Sequence, residues 1–170
     1  MNTLAFLAAG IASAALVATA AHSAELAAPT GEVVLTVSGE IGTKNVDDTA
    51  QFDMEGLAAL PVTTFKTATI WTEGVNEFTG VALKDLAEAV GMEGTTIRAT
   101  AINDYAVEVP LSDAVEGGPI VAYAMNGEPM SVRDKGPLWI VYPYDQNTDY
   151  QTEVIYSRSI WQLDRIEVLK

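Results

Sequence analysis

Beyond residue 31 the apolar residues of this chain fall in short alternating runs cut by turn signals, and that rhythm restricts the fold more than any other feature. Val33, Leu35 and Val37 alternate with polar neighbours and stop at Gly39, the period-two pattern of a half-buried strand. Thr63 to Trp71 repeats it with high β-branched content. Thr96 to Ile102, Ala106 to Val109, Ile120 to Met125, Leu138 to Tyr142, Glu153 to Tyr156 and Arg165 to Leu169 are further strand candidates. Asn-Asp, Asn-Gly and Gly-Gly pairs join several of them. The clearest helix has Leu83, Leu86, Ala87 and Val90 on one face, with Thr79 as its expected N-cap and Gly91 just past its end. A shorter helix is expected from Phe52 to Leu60, ended by Pro61. The fold class is therefore expected to be α+β: strand-rich mixed sheets with a few short helices.

Ahead of this region, Leu4 to Ala21 form a run of 18 residues without a charged side chain. Its composition and the small residues Ala21 and Ser23 fit a secretory signal peptide cleaved after Ser23 or Ala24. The competing reading is an uncleaved membrane anchor, since a span needs about 20 apolar residues. The alanine-rich makeup and small-residue exit favour cleavage, although no Lys or Arg precedes the run. The expected organisation is a signal peptide at 1–24 and one domain at 25–170, a length that can bury a single core.

The residue inventory removes whole classes of chemistry. There is no cysteine, and the single histidine, His22, lies at the exit of the apolar run. Thiol catalysis, a Ser-His-Asp triad and histidine- or cysteine-based metal sites are excluded from the expected mature domain. With 23 Asp and Glu against 9 Lys and Arg, the net charge of −14 argues against nucleic acid or an anionic membrane as partner. Glu128, Asp134, Asp145 and Asp149 could act as acid–base pairs, but no spacing selects a pair, and solvated surface acids are the favoured reading. Asp145 to Asp149 offers oxygen ligands for calcium but lacks the glycine and terminal glutamate of an EF-hand loop.

Aromatic residues are unevenly placed. All six tyrosines lie from Tyr105 onward, and Trp139, Tyr142, Tyr144, Tyr150, Tyr156 and Trp161 fall within 23 residues. Such a segment can line a pocket for a flat ligand, with aromatic faces stacking on the ring and polar edges fixing its orientation. It can equally be ordinary sheet packing, which composition alone favours.

From Val33 to Val168 the chain resembles the molybdopterin-binding domain of sulfite-oxidase-type oxidoreductases. The resemblance is carried by Leu35-Thr36-Val37-Ser38-Gly39, by Phe78 to Leu86, and by Asn126-Gly127-Glu128-Pro129-Met130. It continues through Arg133-Asp134-Lys135-Gly136-Pro137-Leu138 and Ser157-Arg158-Ser159-Ile160-Trp161. It implies the sulfite-oxidase fold. In the family a cysteine on the segment matching Thr63 to Trp71 holds the molybdenum, and here Thr67 or Thr69 stands in that neighbourhood. Trp139 and Trp161 replace basic residues that hold the cofactor phosphate, while Arg158 is retained and Lys135 stands where the family tends to have a cation. These departures resemble a subgroup of small periplasmic proteins that bind reduced pterins and regulate membrane-bound cyclic-di-GMP enzymes through their periplasmic domains. The resemblance implies a non-catalytic sensor of a reduced, molybdenum-free pterin. Its expected contacts are Trp71, Asn103, Asp104, Tyr105, Arg133, Tyr142, Tyr144, Arg158 and Trp161. The alternative it allows is a molybdopterin-dependent oxidoreductase subunit with a non-cysteine metal site.

Overall fold

The computed structural model describes residues 26–170. The expected signal peptide and its cleavage point before Glu25 lie outside the described residues. The elements run β1 (Leu35–Gly39), β2 (Ala50–Phe52), α1 (Met54–Ala58), β3 (Val62–Ala68), β4 (Val75–Ala82), α2 (Leu83–Val90), β5 (Thr96–Ala101) and β6 (Ala106–Pro110). Then follow β7 (Ile120–Met125), β8 (Glu128–Pro129), β9 (Leu138–Val141), α3 (Glu153–Arg158) and β10 (Trp161–Leu169), with single 3-10 turns at Leu111–Asp113 and Thr148–Tyr150. This is the expected strand-rich α+β architecture. No helix among the described residues is long and apolar enough to cross a membrane.

All ten strands join one mixed sheet in the order β2-β1-β10-β9-β7-β4-β3, with β5 and β6 branching from β10 and β8 from β7. β10 is the hub. It lies parallel to β1, with Val37 opposite Ile166, and antiparallel to β5, with Ile97 opposite Val168. Its first residues pair with β9, where Trp161 faces Trp139 and Leu163 faces Leu138. One step on β9 thus corresponds to two on β10, so Gln162 is the extra residue of a β-bulge, at φ +54.

Local chemistry explains most element boundaries. In β1, Leu35 and Val37 are buried while Thr36 and Ser38 are half-buried, as alternation requires. β9 lies between β10 and β7 and is buried at all four residues, so it reads as a continuous apolar run. Asp53 caps α1: its carboxylate accepts from Gly56 N–H at 2.7 Å and from Thr30 and Gly31 N–H at 2.9 and 2.8 Å. Those donors, Gly56 first, hold the Asp53 carboxyl below its ordinary range. α2 ends at Gly91, whose φ of +63 lets its N–H return to Ala87 and Glu88 carbonyls.

Three expectations need correction. Thr79 does not cap α2; it lies within β4, opposite Thr64, with the two hydroxyls 2.9 Å apart. The strand runs straight into the helix at Ala82, and Leu83 N–H is satisfied instead by the Pro119 carbonyl. Glu153 to Tyr156 is no strand but the body of α3, because Thr152 Oγ1 accepts from Ile155 N–H at 3.3 Å and opens a helix. β10 begins at Trp161 rather than Arg165. Strands β2, β4 and β8 had no sequence-level counterpart: β2 and β8 are very short, and β4 interrupts its apolar alternation with Asn76, Glu77 and Gly80.

Candidate functional site

At the bulged end of β10 the structure opens a cleft of about 350 Å³, within the range of small-molecule sites. Its walls come from four places in the chain. The loop after β3 supplies Trp71, the turn between β5 and β6 supplies Asn103 and Tyr105, α3 supplies Tyr156 and Ser157, and β10 supplies Trp161 and Gln162. Trp71 stands at the centre. Its ring lies edge-on to Trp161 at 5.6 Å, Tyr156 at 5.8 Å and Trp139 at 5.9 Å, a geometry that opposes ring faces to ring edges.

A turn fixes Trp71 in place: Thr69 Oγ1 accepts from the N–H groups of Trp71 and Thr72 at 3.1 and 3.0 Å. The layer beneath is wired through buried Ser159. Its carbonyl accepts from Trp139 Nε1 at 3.2 Å, and its hydroxyl accepts from Tyr144 at 2.6 Å while donating to Ile155 O at 2.9 Å. Burial pushes the Tyr144 phenol up to about 12. The aromatic segment is therefore divided, Trp139 and Tyr144 packing underneath while Tyr156 and Trp161 line the opening together with Trp71 from the loop after β3.

Of the nine expected contacts, Trp71, Asn103, Tyr105 and Trp161 line this cleft. The other five do not. Asp104, at φ +66, places its carboxylate 2.8 Å from Arg165 Nη2. Arg133 is exposed on the turn before β9. Tyr142 is fully buried and donates to Asp113 Oδ2 at 2.7 Å, and Arg158 Nη1 lies 2.8 Å from the same oxygen. Burial and the Asp113 carboxylate hold the Tyr142 phenol well above its ordinary range. Tyr144 belongs to the layer behind. Sequence reasoning missed Tyr156, Ser157 and Gln162 as lining residues. Tyr156 lay within the aromatic segment and Ser157 within a quoted motif, whereas nothing in the sequence marks Gln162, which enters through the bulge.

The carboxylate candidates do not converge. Glu128 and Asp134 are exposed, Asp149 lies in a 3-10 turn, and Asp145 Oδ2 accepts from Ala68 N–H at 2.6 Å at the end of β3. Among the described residues no three of His, Cys, Asp and Glu are grouped to hold a metal ion. A cation lies over the cleft's Trp161: Lys135 Nζ sits 4.7 Å from the centre of the Trp161 ring and 5.4 Å from that of Trp139.

Residues 32–148 match the model of the oxidoreductase molybdopterin binding domain. The chain belongs to that family. The sulfane dehydrogenase SoxCD from Paracoccus pantotrophus has a similar fold, with a TM-score of 0.59 at 16% identity over 79% of this chain and 37% of that one. This molybdopterin-binding-type domain thus spans little more than a third of that dehydrogenase chain, and the likeness is one of fold. No curated protein matches the sequence.

The donor set decides how much of molybdopterin this domain suits. No cysteine exists in the chain. The hydroxyls nearest to that role are engaged by the fold: fully buried Thr67 accepts from Asp145 N–H and donates to Ala68 O, each at 3.1 Å, and Thr69 holds the Trp71 turn. An aliphatic hydroxyl keeps its proton near neutral pH and offers no soft sulfur. These residues do not fit a molybdenum centre. They do fit a planar heterocycle, for which Trp71, Tyr156 and Trp161 offer ring surface and Asn103, Ser157 and Gln162 offer edge hydrogen bonds.

Proposed function

We propose that this molybdopterin-binding-type domain is a non-catalytic periplasmic receptor for a reduced pterin, and that it regulates a membrane-bound cyclic-di-GMP synthase or phosphodiesterase by touching that enzyme's periplasmic domain. The observation that carries the reading is the cleft itself: aromatic side chains form its walls, and the hydroxyls near the family's thiolate position are spent on hydrogen bonds within the fold. Export rests on the uncharged run at 4–21, and the partner rests on the resemblance to the periplasmic regulators. A receptor without turnover must report its ligand through another molecule, and it can do so only if liganded and free protein bind that molecule with different affinity.

Titration of the purified protein with a tetrahydropterin, followed by tryptophan emission, tests the ligand. Saturable quenching is the expected result, together with a molybdenum content far below one per chain in protein from a molybdenum-replete host. Stoichiometric molybdenum with reductase activity would overturn the reading in favour of a molybdopterin enzyme.

A further inference from the structure

Cations in this acidic molecule are nearly all paired. Of the nine Lys and Arg side chains, seven stand within 4.0 Å of a carboxylate. Among the described residues the two without such a partner are Arg133 and Lys135, and they share one turn, closed by hydrogen bonds from Asp134 and Gly136 N–H to Ser131 O at 3.0 and 2.8 Å. The exposed Asp134 lies between them without pairing to either within 4.0 Å, so the turn keeps a net charge of +1, a local positive spot on an otherwise acidic surface that can recruit a carboxylate from outside.

That turn is fastened to the cleft through Gln162. The Gln162 side-chain amide donates to Val132 O at 2.6 Å, its backbone N–H donates to Lys135 O at 3.0 Å, and its carbonyl accepts from Ile102 N–H at 2.9 Å. Gln162 also lines the cleft. On either side of it apolar side chains stand in solvent: Ile102 is 41% exposed, Val132 51% and Tyr105 61%.

We propose that this rim, built from Ile102, Tyr105, Val132, Arg133 and Lys135, is the docking surface for a protein segment presenting a carboxylate beside an aliphatic or aromatic side chain. The assignment rests on the reading of the domain as a ligand-reporting receptor and names the face that does the reporting. Charge complementarity selects the occupant. Arg133 and Lys135, offset in part by Asp134, match a single incoming carboxylate, whereas an extended anionic membrane would also meet the surplus acids of a chain at −14. Because Gln162 lies between the cleft and the turn, a ligand that competes for its amide changes the hold on Val132. Liganded and free protein then differ at the docking face, the condition for any population shift.

The test uses the isotopically labelled protein, and an acetylated Glu-Leu-Glu-Tyr peptide amide as probe. Amide shift changes confined to residues 102–105, 131–136 and 162 are expected, with affinity falling at least tenfold in Val132→Asp and in Arg133→Glu and weakening in high salt. Val62→Asp, on the exposed edge strand β3, should bind the peptide as wild type does. Absence of peptide binding, shifts elsewhere, or undiminished affinity in both rim variants would overturn the assignment. So would capture by phosphatidylglycerol vesicles or self-association through the same residues. A parallel tetrahydropterin titration keeps the two ideas apart: Val132→Asp should keep wild-type quenching, and a wild type that binds peptide but no pterin would remove the ligand reading while the rim stands.

Discussion

Single residues separate two roles that the motif Ser157-Arg158-Ser159-Ile160-Trp161 runs together. Trp161 lines the cleft, so Trp161→Ala should weaken tetrahydropterin binding by about tenfold or more, on the scale of one lost aromatic contact, with circular dichroism unchanged. Arg158 instead neutralises Asp113, with 21% and 17% of the two side chains exposed. Arg158→Ala leaves a part-buried carboxylate with only Tyr142 as partner and should cost about 1–3 kcal/mol of stability in urea unfolding. Pterin affinity, measured on the folded fraction, should change far less than in Trp161→Ala. The buried phenols set a pH limit. Tyr142 and Tyr144 are raised in the folded protein above their ordinary value of about 10. Their contribution to stability is therefore whole below about pH 10 and is lost as pH rises through about 12, where Tyr144 ionises. Thermal unfolding followed against pH, with tyrosinate absorbance in parallel, should show this alkaline decline, and Tyr144→Phe should reduce it.

At the level of elements, the site depends on α3, a helix of six residues that carries Tyr156 and Ser157 into the cleft. A helix this short has little intrinsic stability and relies on its cap and its packing. Thr152→Ala should cost about 1 kcal/mol, read as a lower midpoint in urea, while Thr152→Ser should retain most of it. The β4–β7 pairing is similarly exacting. At the register shift beside Gly80, a side chain there would run into the Val121 carbonyl and the Ala122 Cα. Gly80→Val should therefore leave little folded protein, detectable as loss of near-ultraviolet circular dichroism.

For the molecule as a whole, charge is the dominant variable. A net charge of −14 on 170 residues opposes compaction, so the unfolding midpoint should rise as sodium chloride is raised from a few millimolar to about 0.15 M, where the screening length falls to about 8 Å. The same salt should weaken attachment of an acidic segment at the Arg133–Lys135 rim. The two opposite responses, measured on one preparation, separate whole-molecule repulsion from local attraction.

The sequence by itself determined what depends on local periodicity and on inventory. Alternation marked β1 and β3, short runs of apolar and β-branched residues bounded by turn signals marked β5, β6, β7 and β9, the apolar stripe and Gly91 marked α2, and the absence of cysteine decided that no thiolate can hold a metal. Its aromatic segment announced a site or a core without saying which. Only tertiary structure could decide that, because Trp139 and Trp161 occupy directly paired positions on β9 and β10 and yet one is sealed and the other opens on the cleft. The bulge that brings Gln162 into the lining, the docking of Trp71 against α3 and β10, and the diversion of Arg158 and Tyr142 to Asp113 all join residues distant in sequence. Such contacts are chosen by packing and charge compensation across the sheet, and no local pattern encodes them.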